Sequence, residues 1–294
     1  MKKTLIALLA LLWIVFAGGA LAEGTVSFQG IAVEKTADYW DLGDEKIQDL
    51  AAFERFLDQL PALRQVDMFA TPVNRRQIEE LVSRFPQIEF GWTIHIAADH
   101  YIRTDATAFS TLHGECAGHS SKDFEVLRYC KSLLALDIGH NDVTDLKFLR
   151  ELPQLRVLIL ADNPIHDIAP LAELKNLEYL ELFSCQFYDI TPLTALPRLL
   201  DLNISNNPNM YQYGKLLELS PTLKRLWVSG MGVYFSPERL AEMRSVLPLA
   251  VFSTTDHPTA NGWREGEHYE KIYEMFHTGV YQPFSDSFPL EDAP

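Results

Sequence analysis

The sequence predicts an α/β repeat solenoid, with a curved parallel sheet on the concave face, helices and irregular turns on the convex face, and a cap at each end. Three observations lead there. Leu133, Leu136, Ile138 and Asn141 recur as Leu155, Leu158, Leu160 and Asn163, every pair 22 residues apart. The return half of the unit keeps that interval, since Ile165, Ile168, Leu171 and Leu174 are answered by Phe187, Ile190, Leu193 and Leu196, and Pro170 by Pro192. Upstream, Trp40-Asp41-Leu42 and Val66-Asp67-Met68 look like strand cores 26 residues apart, each followed by an amphipathic stretch. One short strand plus one return segment cannot bury its own leucines, so neighbouring units must stack into a continuous core.

The chain opens on Lys2 and Lys3, an apolar run from Leu5 to Phe16, Gly18 and Gly19, and then Ala20-Leu21-Ala22. That is the pattern of a signal peptide over residues 1–22, cleaved before Glu23, which places the protein in the periplasm or outside the cell. Thr4 to Ala22 carries no charge and is also long enough for a retained anchor; the glycine break and the small residues at the cleavage positions favour removal. Residues 23–96 read as an N-terminal cap with helix-backed irregular repeats. Helices are expected over Ile47–Leu60 and Arg75–Phe85, where Phe53, Phe56, Leu57 and Leu60, and then Ile78, Leu81 and Phe85, recur at helical spacing. Ile88, Phe90, Trp92, Ile94 and Ile96 alternate as a longer strand. The period fails over residues 97–131, which read as an inserted segment ending in a short helix that Ser121 caps.

Residues 132–253 hold the regular repeats and a final strand. The third to fifth units are Leu177, Leu180, Leu182 and Cys185, then Leu199, Leu202, Ile204 and Asn207, then Leu223, Leu226, Val228 and Met231 after a step of 24. Strands centred on Leu136, Leu158, Leu180, Leu202 and Leu226 are expected in one parallel sheet, within a single right-handed solenoid from about residue 36 to residue 253. The column Asn141, Asn163, Cys185 and Asn207 turns the chain and satisfies buried loop amides as a structural ladder, with Cys185 a buried, inert thiol. Ser236-Pro237-Glu238 opens a helix through Leu240, Met243 and Val246. Pro248 to Phe252 forms the last strand. Residues 254–294 read as a C-terminal capping tail: Tyr269, Ile272, Tyr273 and Phe276 predict a helix over the open end of the array, and Phe288–Pro294 should fray.

The L-x-x-L-x-L-x-x-N/C-x-L pattern of these units resembles that of leucine-rich repeat proteins. Ile165-His166-Asp167-Ile168-Ala169-Pro170-Leu171, nearly repeated from Phe187 to Leu193, is similar to the 22-residue internalin-type variant of bacteria. The strict pattern, Leu133 to Met231, covers roughly a third of the chain. The resemblance implies a non-catalytic exported binding protein whose concave sheet recognises an extracellular or envelope protein or a surface glycan.

Alternation sends the leucines inward and the residues between them to the open face. One column there holds Asp137, Ile159, Glu181, Asn203 and Trp227; a second holds Ala135, Val157, Tyr179, Asp201 and Arg225; a third holds Gly139, Ala161, Phe183, Ser205 and Ser229. Ile159, Tyr179, Glu181, Phe183, Asp201, Asn203, Arg225 and Trp227 are the candidate binding residues, with Tyr179, Phe183 and Trp227 as exposed aromatic anchors. The competing arrangement is a tail folded over them.

The 40 acidic residues outweigh 25 basic ones, for a formal charge of −15, which argues against a nucleic-acid partner and against a polybasic membrane role after signal cleavage. No G-x-S-x-G, H-E-x-x-H or Walker loop is present, and neither catalytic residues nor a cofactor are expected. His113, Cys116 and His119, with Cys130 further on, are the clustered metal-ligand residue types, but they lack the paired spacing of a structural zinc site, so no metal is assigned. The rival reading is a metal-assisted enzyme built on that segment, with Glu115 as base; a third is a structural envelope protein. Pairing of Cys116 with Cys130 stays open.

Overall fold

The computed structural model describes residues 24–96, 100–112, 118–231, 235–254, 263–264 and 266–283. Residues 1–22, read from the sequence as a signal peptide, and Phe288–Pro294 lie outside these residues. The chain divides into two compact units, residues 1–90 and 91–294.

In the first unit, β1 (Thr25–Phe28) and β2 (Ile31–Glu34) form an antiparallel hairpin, and β3 (Tyr39–Asp41) pairs in parallel with β4 (Gln65–Met68) in the 26-residue register read from the sequence. α1 (Leu50–Leu57) starts later than the spacing predicts because the Asp49 side chain caps it, accepting from Ala52 N–H. α2 (Arg75–Arg84) is opened by a reciprocal capping box of Asn74 and Gln77. Phe28, Trp40, Phe53 and Phe56 pack ring on ring as its aromatic core.

Next, β5 (Glu89–Ile96) turns back antiparallel into β6 (His100–Arg103). This hairpin interrupts the parallel progression: β3 and β4 lie in a four-stranded sheet with β5 and β6, apart from the sheet of the repeats. The repeats themselves build seven parallel strands in sequence order: β7 (Ala108–Ser110), β8 (Ala135–Asp137), β9 (Val157–Ile159), β10 (Tyr179–Glu181), β11 (Asp201–Asn203), β12 (Arg225–Trp227) and β13 (Val251–Ser253). Leu136, Leu158, Leu180, Leu202 and Leu226 are aligned in register across five of them, as the 22-residue interval requires.

The segment 97–131 is therefore more than an insertion. Phe109 pairs with Leu136 at a step of 27 residues, so β7 belongs to a degenerate first repeat carrying five extra residues. Its turn follows at Gly118 and His119, which answer His140 and Asn141. Those extra residues masked the period. Ser121 also departs from expectation. The helical segment Asp123–Tyr129 is a 3-10 helix without a side-chain cap, and Ser121 Oγ instead accepts from Thr144 and Asp145 of the next repeat. The other return segments are likewise short 3-10 turns, with Pro170 and Pro192 in their opening positions.

The turns that follow β7 to β12 each hold a residue with left-handed backbone. Gly118, His140, Asp162, Ser184, Asn206 and Gly230 have φ between 54° and 63° and stand one residue before the ladder position. This explains why the non-glycine members are Asn, Asp, Ser or His rather than β-branched residues. The turn aims the next side chain inward. Asn163 Nδ2 donates to Ile138 O and Leu160 O at 2.9 Å, and its Oδ1 accepts from Val143 N–H at 2.9 Å, tying one turn to the one before. Asn207 holds the equivalent carbonyls, whereas Asn141 donates to Ile138 O and Gly139 O of its own turn and reaches the preceding repeat through Thr111 Oγ1. Cys185 stands in the same column, its thiol on Leu160 O and pushed up to about 12 by burial.

α3 (Pro237–Val246) starts at Ser236, whose hydroxyl accepts from Arg239 N–H, and buries Met243. Replacing Asn163 by Ala strands the Val143 amide and two carbonyls, and should cost roughly 1 to 3 kcal/mol in urea denaturation; a loss of a few tenths would contradict the ladder. Leu180→Ala should cost roughly 2 to 5 kcal/mol, because that side chain is fully buried between repeats.

Candidate functional site

The concave columns are not open. Every residue of β8 to β12 is buried, on both faces of the sheet. The tail is the cause. α4 (Gly266–Thr278) forms where the sequence predicts a helix, but it packs over the concave face rather than over the end of the array. Ile272, Met275 and Phe276 face Ala108, Ala135, Val157 and Ile159, while Tyr273 points outward, 54% exposed, and stacks on His277. Beyond the helix, Gly279 O accepts from Ala108 N–H at 3.1 Å and Tyr281 N–H donates to Thr107 Oγ1 at 2.8 Å, fastening the tail to the first strand of the sheet. The helix is about 20 Å long, which matches roughly four strand spacings. The sheet accommodates it by residue size: Ala108, Ala135, Gly139 and Ala161 lie at the end where it seats, and the large aromatics lie beyond it.

Those aromatics form a slot around Trp263. Its ring lies 5.4 Å from Tyr179 and 5.2 Å from Trp227. Tyr179, Phe183 and Trp227, expected as exposed anchors, are thus buried packing residues at 0%, 7% and 3% exposure. Ile159 belongs to the same apolar cluster.

The polar members converge around one carboxylate. Glu181, fully buried, accepts from Trp263 Nε1 at 2.8 Å and from Tyr179 through Oε1, and from Arg264 Nη2 at 2.9 Å through Oε2. Asp201 accepts from Arg225 Nη2 at 2.8 Å, and the Arg225 guanidinium lies 4.6 Å over the Trp263 ring and donates to Trp263 O at 3.4 Å. Arg264 in turn lies over Phe183 and Tyr269. Asn203 Oδ1 accepts from Ser205 N–H two residues further along the same repeat. Burial, then the charge on Glu181, hold the Tyr179 hydroxyl well above the ordinary tyrosine value.

Asp137, Trp263 and Arg264 were missing from the sequence-derived site. Asp137 accepts from Gly139 N–H and Ser110 Oγ, and burial pushes its carboxyl up to about 7, with Glu181 adding to the effect. The run of Ala and Gly at the start of the columns was the available sign that something seats there. The Trp-Arg pair carries no periodicity by which to find it.

Of the rival metal set, His113, Glu115 and Cys116 lie outside the described residues. His119 is buried, with its Nε2 3.1 Å from His100 Nδ1, while His100 Nε2 lies 3.0 Å from Thr111 O. Cys130 is a free buried thiol, raised to about 12 by burial. Among the described residues no group of three or more His, Cys, Asp or Glu is placed to hold a metal ion.

Parallel strands at 22-residue steps, leucines in register and an asparagine ladder coincide with a match of residues 131–173 to a family model described as Leucine Rich repeats (2 copies). Residues 131–173 are leucine-rich repeats, and the parallel array around them has the leucine-rich repeat fold. The chain is similar to an internalin C2 of Listeria monocytogenes, at 20% identity and a TM-score of 0.42 over 78% of this chain and 87% of that one. An internalin of the same organism aligns at 20% identity and 0.43 over 77% and 72%. A leucine-rich repeat protein of Leptospira interrogans aligns at 19% identity and 0.41 over 74% and 55%. No curated protein matches the sequence.

The covered face of the repeat array has two measurable consequences. Trp227→Ala should destabilise the chain by roughly 3 to 5 kcal/mol in a urea melt, as a core truncation does, and not behave as a surface change. Asp137 is held more tightly protonated in the native state than in the unfolded one, so stability should fall as pH rises from about 4 to about 7 and level off above that. Asp137→Asn should remove that slope and stabilise the chain at pH 8 on the order of 3 kcal/mol; an unchanged pH profile would show that Asp137 is not the group responsible.

Proposed function

We propose that this protein is an exported, non-catalytic binding protein that recognises an extracellular or envelope protein or a surface glycan through the concave face bearing Tyr179, Glu181, Asp201, Asn203, Arg225 and Trp227. The supporting observation is the composition of that face. Beneath a covering segment of the same chain, packing alone calls for apolar side chains. This sheet instead keeps Asp137, Glu181, Asp201, Asn203 and Arg225 buried, at a desolvation cost that apolar residues of like volume would avoid. Groups of that kind serve recognition, where orientation and charge matter more than stability. The engagement of both Glu181 oxygens by Tyr179, Trp263 and Arg264 suits holding a ligand better than moving a proton. Export rests on the N-terminal signal pattern. Among the described residues no helix is long and apolar enough to cross a membrane.

The test is capture by the immobilised full chain, and by its Trp263→Phe variant, from extracellular proteins and cell-wall material. The captured component should be identified and its affinity measured against Glu181→Gln and Asn203→Ala chains that still unfold cooperatively. A loss of about tenfold or more is expected for each. Unchanged affinity in both would move the site off the concave face.

A further inference from the structure

The covering tail carries information about what the face is built to hold. Trp263 and Arg264 are consecutive, and both address Glu181, one through the indole N–H and the other through the guanidinium. The backbone carbonyl of Trp263 is met by Arg225, and the indole fills the slot between Tyr179 and Trp227. Behind this pair, α4 adds an apolar stripe against small residues of the sheet. The strands thus present matched partners for one aromatic N–H, one peptide carbonyl and one guanidinium in tandem, followed by an amphipathic helix.

We infer that the tail stands in the place of an external ligand, and that the partner of this face is a protein segment presenting a tryptophan-arginine pair ahead of an amphipathic helix; this rests on the concave face being the recognition surface. Charge complementarity selects that chemistry. Without the tail the face shows Asp137, Glu181 and Asp201 against Arg225 alone, and Arg225 is already paired with Asp201 at 2.8 Å. A cation must meet Glu181, whereas a neutral glycan would leave a buried carboxylate uncompensated.

The docked tail is also exchangeable in energetic terms. Its closure buries the Glu181–Arg264 and Asp201–Arg225 pairs, whose desolvation offsets much of their attraction. Arg264 Nε is left without a hydrogen-bond partner in the closed form. A segment of the same chemistry supplied from outside competes for the same groups, and the resident tail lowers its apparent affinity by the fraction of time the face is covered.

The probe is a fluorescent peptide of residues 263–281, titrated by anisotropy into the full-length chain and into full-length Trp263→Ala/Arg264→Ala. Full-length Trp263→Phe, which keeps the ring packing and removes the N–H, serves as a second receptor should the double variant fail to fold. The loosened receptors should bind the peptide about tenfold or more tightly than the native chain does. Glu181→Gln in a loosened receptor, or Arg264→Ala in the peptide, should lose about tenfold, and a cell-wall oligosaccharide should not compete. Failure of the peptide to bind a cooperatively folded loosened receptor would overturn the inference, as would binding indifferent to Glu181→Gln. A concentration-dependent dimer of the native chain that the peptide dissociates would assign the face to the tail of a second copy and equally overturn it. If the peptide fails while the captured envelope component still depends on Glu181, the concave-face reading stands and only the ligand chemistry falls; if neither depends on it, both fall.

Discussion

The turns after six of the seven strands each hold a residue with φ between 54° and 63°, and that turn swings the following side chain into the stack, where at Asn163 and Asn207 an amide takes up carbonyls of its own turn and of its neighbour. The stacking depends on this contact. The leucine core is non-directional and would tolerate slippage, whereas the amide bonds accept one register only. Once the register is set, the positions between the leucines fall into straight columns across the strands. Such columns can hold a helix, or a ligand, by residue size and charge. Cys185, in the same column, holds its turn with a weaker thiol contact.

A sheet built this way has a second face to dispose of. In this chain it is closed by the protein's own C-terminal segment, and the closure is of two kinds. Over the first strands α4 seats on alanines, an apolar contact of the ordinary sort. Over β10 to β12 the contact is polar and aromatic, centred on a carboxylate to which the tail brings a guanidinium and an indole. The first kind contributes mainly to stability. The second adds comparatively little net stability for its burial and much orientation, which is the division seen where a surface is made to recognise something.

The same arrangement makes the covered face responsive. Asp137 lies within it with a carboxyl displaced to about 7, and the ion pairs around Glu181 weaken if either partner is withdrawn. The stability of the closed form therefore varies with pH and with any competitor for Glu181. A purely apolar cap would give neither dependence.

Periodicity made the repeats legible: the 22-residue interval, the inward leucines, the ladder and the cap at Ser236 are all local patterns, and stacking only repeats them. The degenerate first repeat was hidden because five extra residues between β7 and His119 break the interval without breaking the pairing, which depends on strand geometry and not on loop length. The aromatic and charged columns were legible as columns but not as buried ones. Their exposure depends on where a non-repeating tail comes to rest, and that is decided by contacts across as many as 174 positions of sequence, such as Tyr281 on Thr107. The sequence by itself determined the array, since each unit's leucines can be satisfied only by its neighbours. Only the tertiary structure decided that the open face is occupied, because one indole, one guanidinium and one helix stripe find their complements there through shape and charge, which leave no period to read.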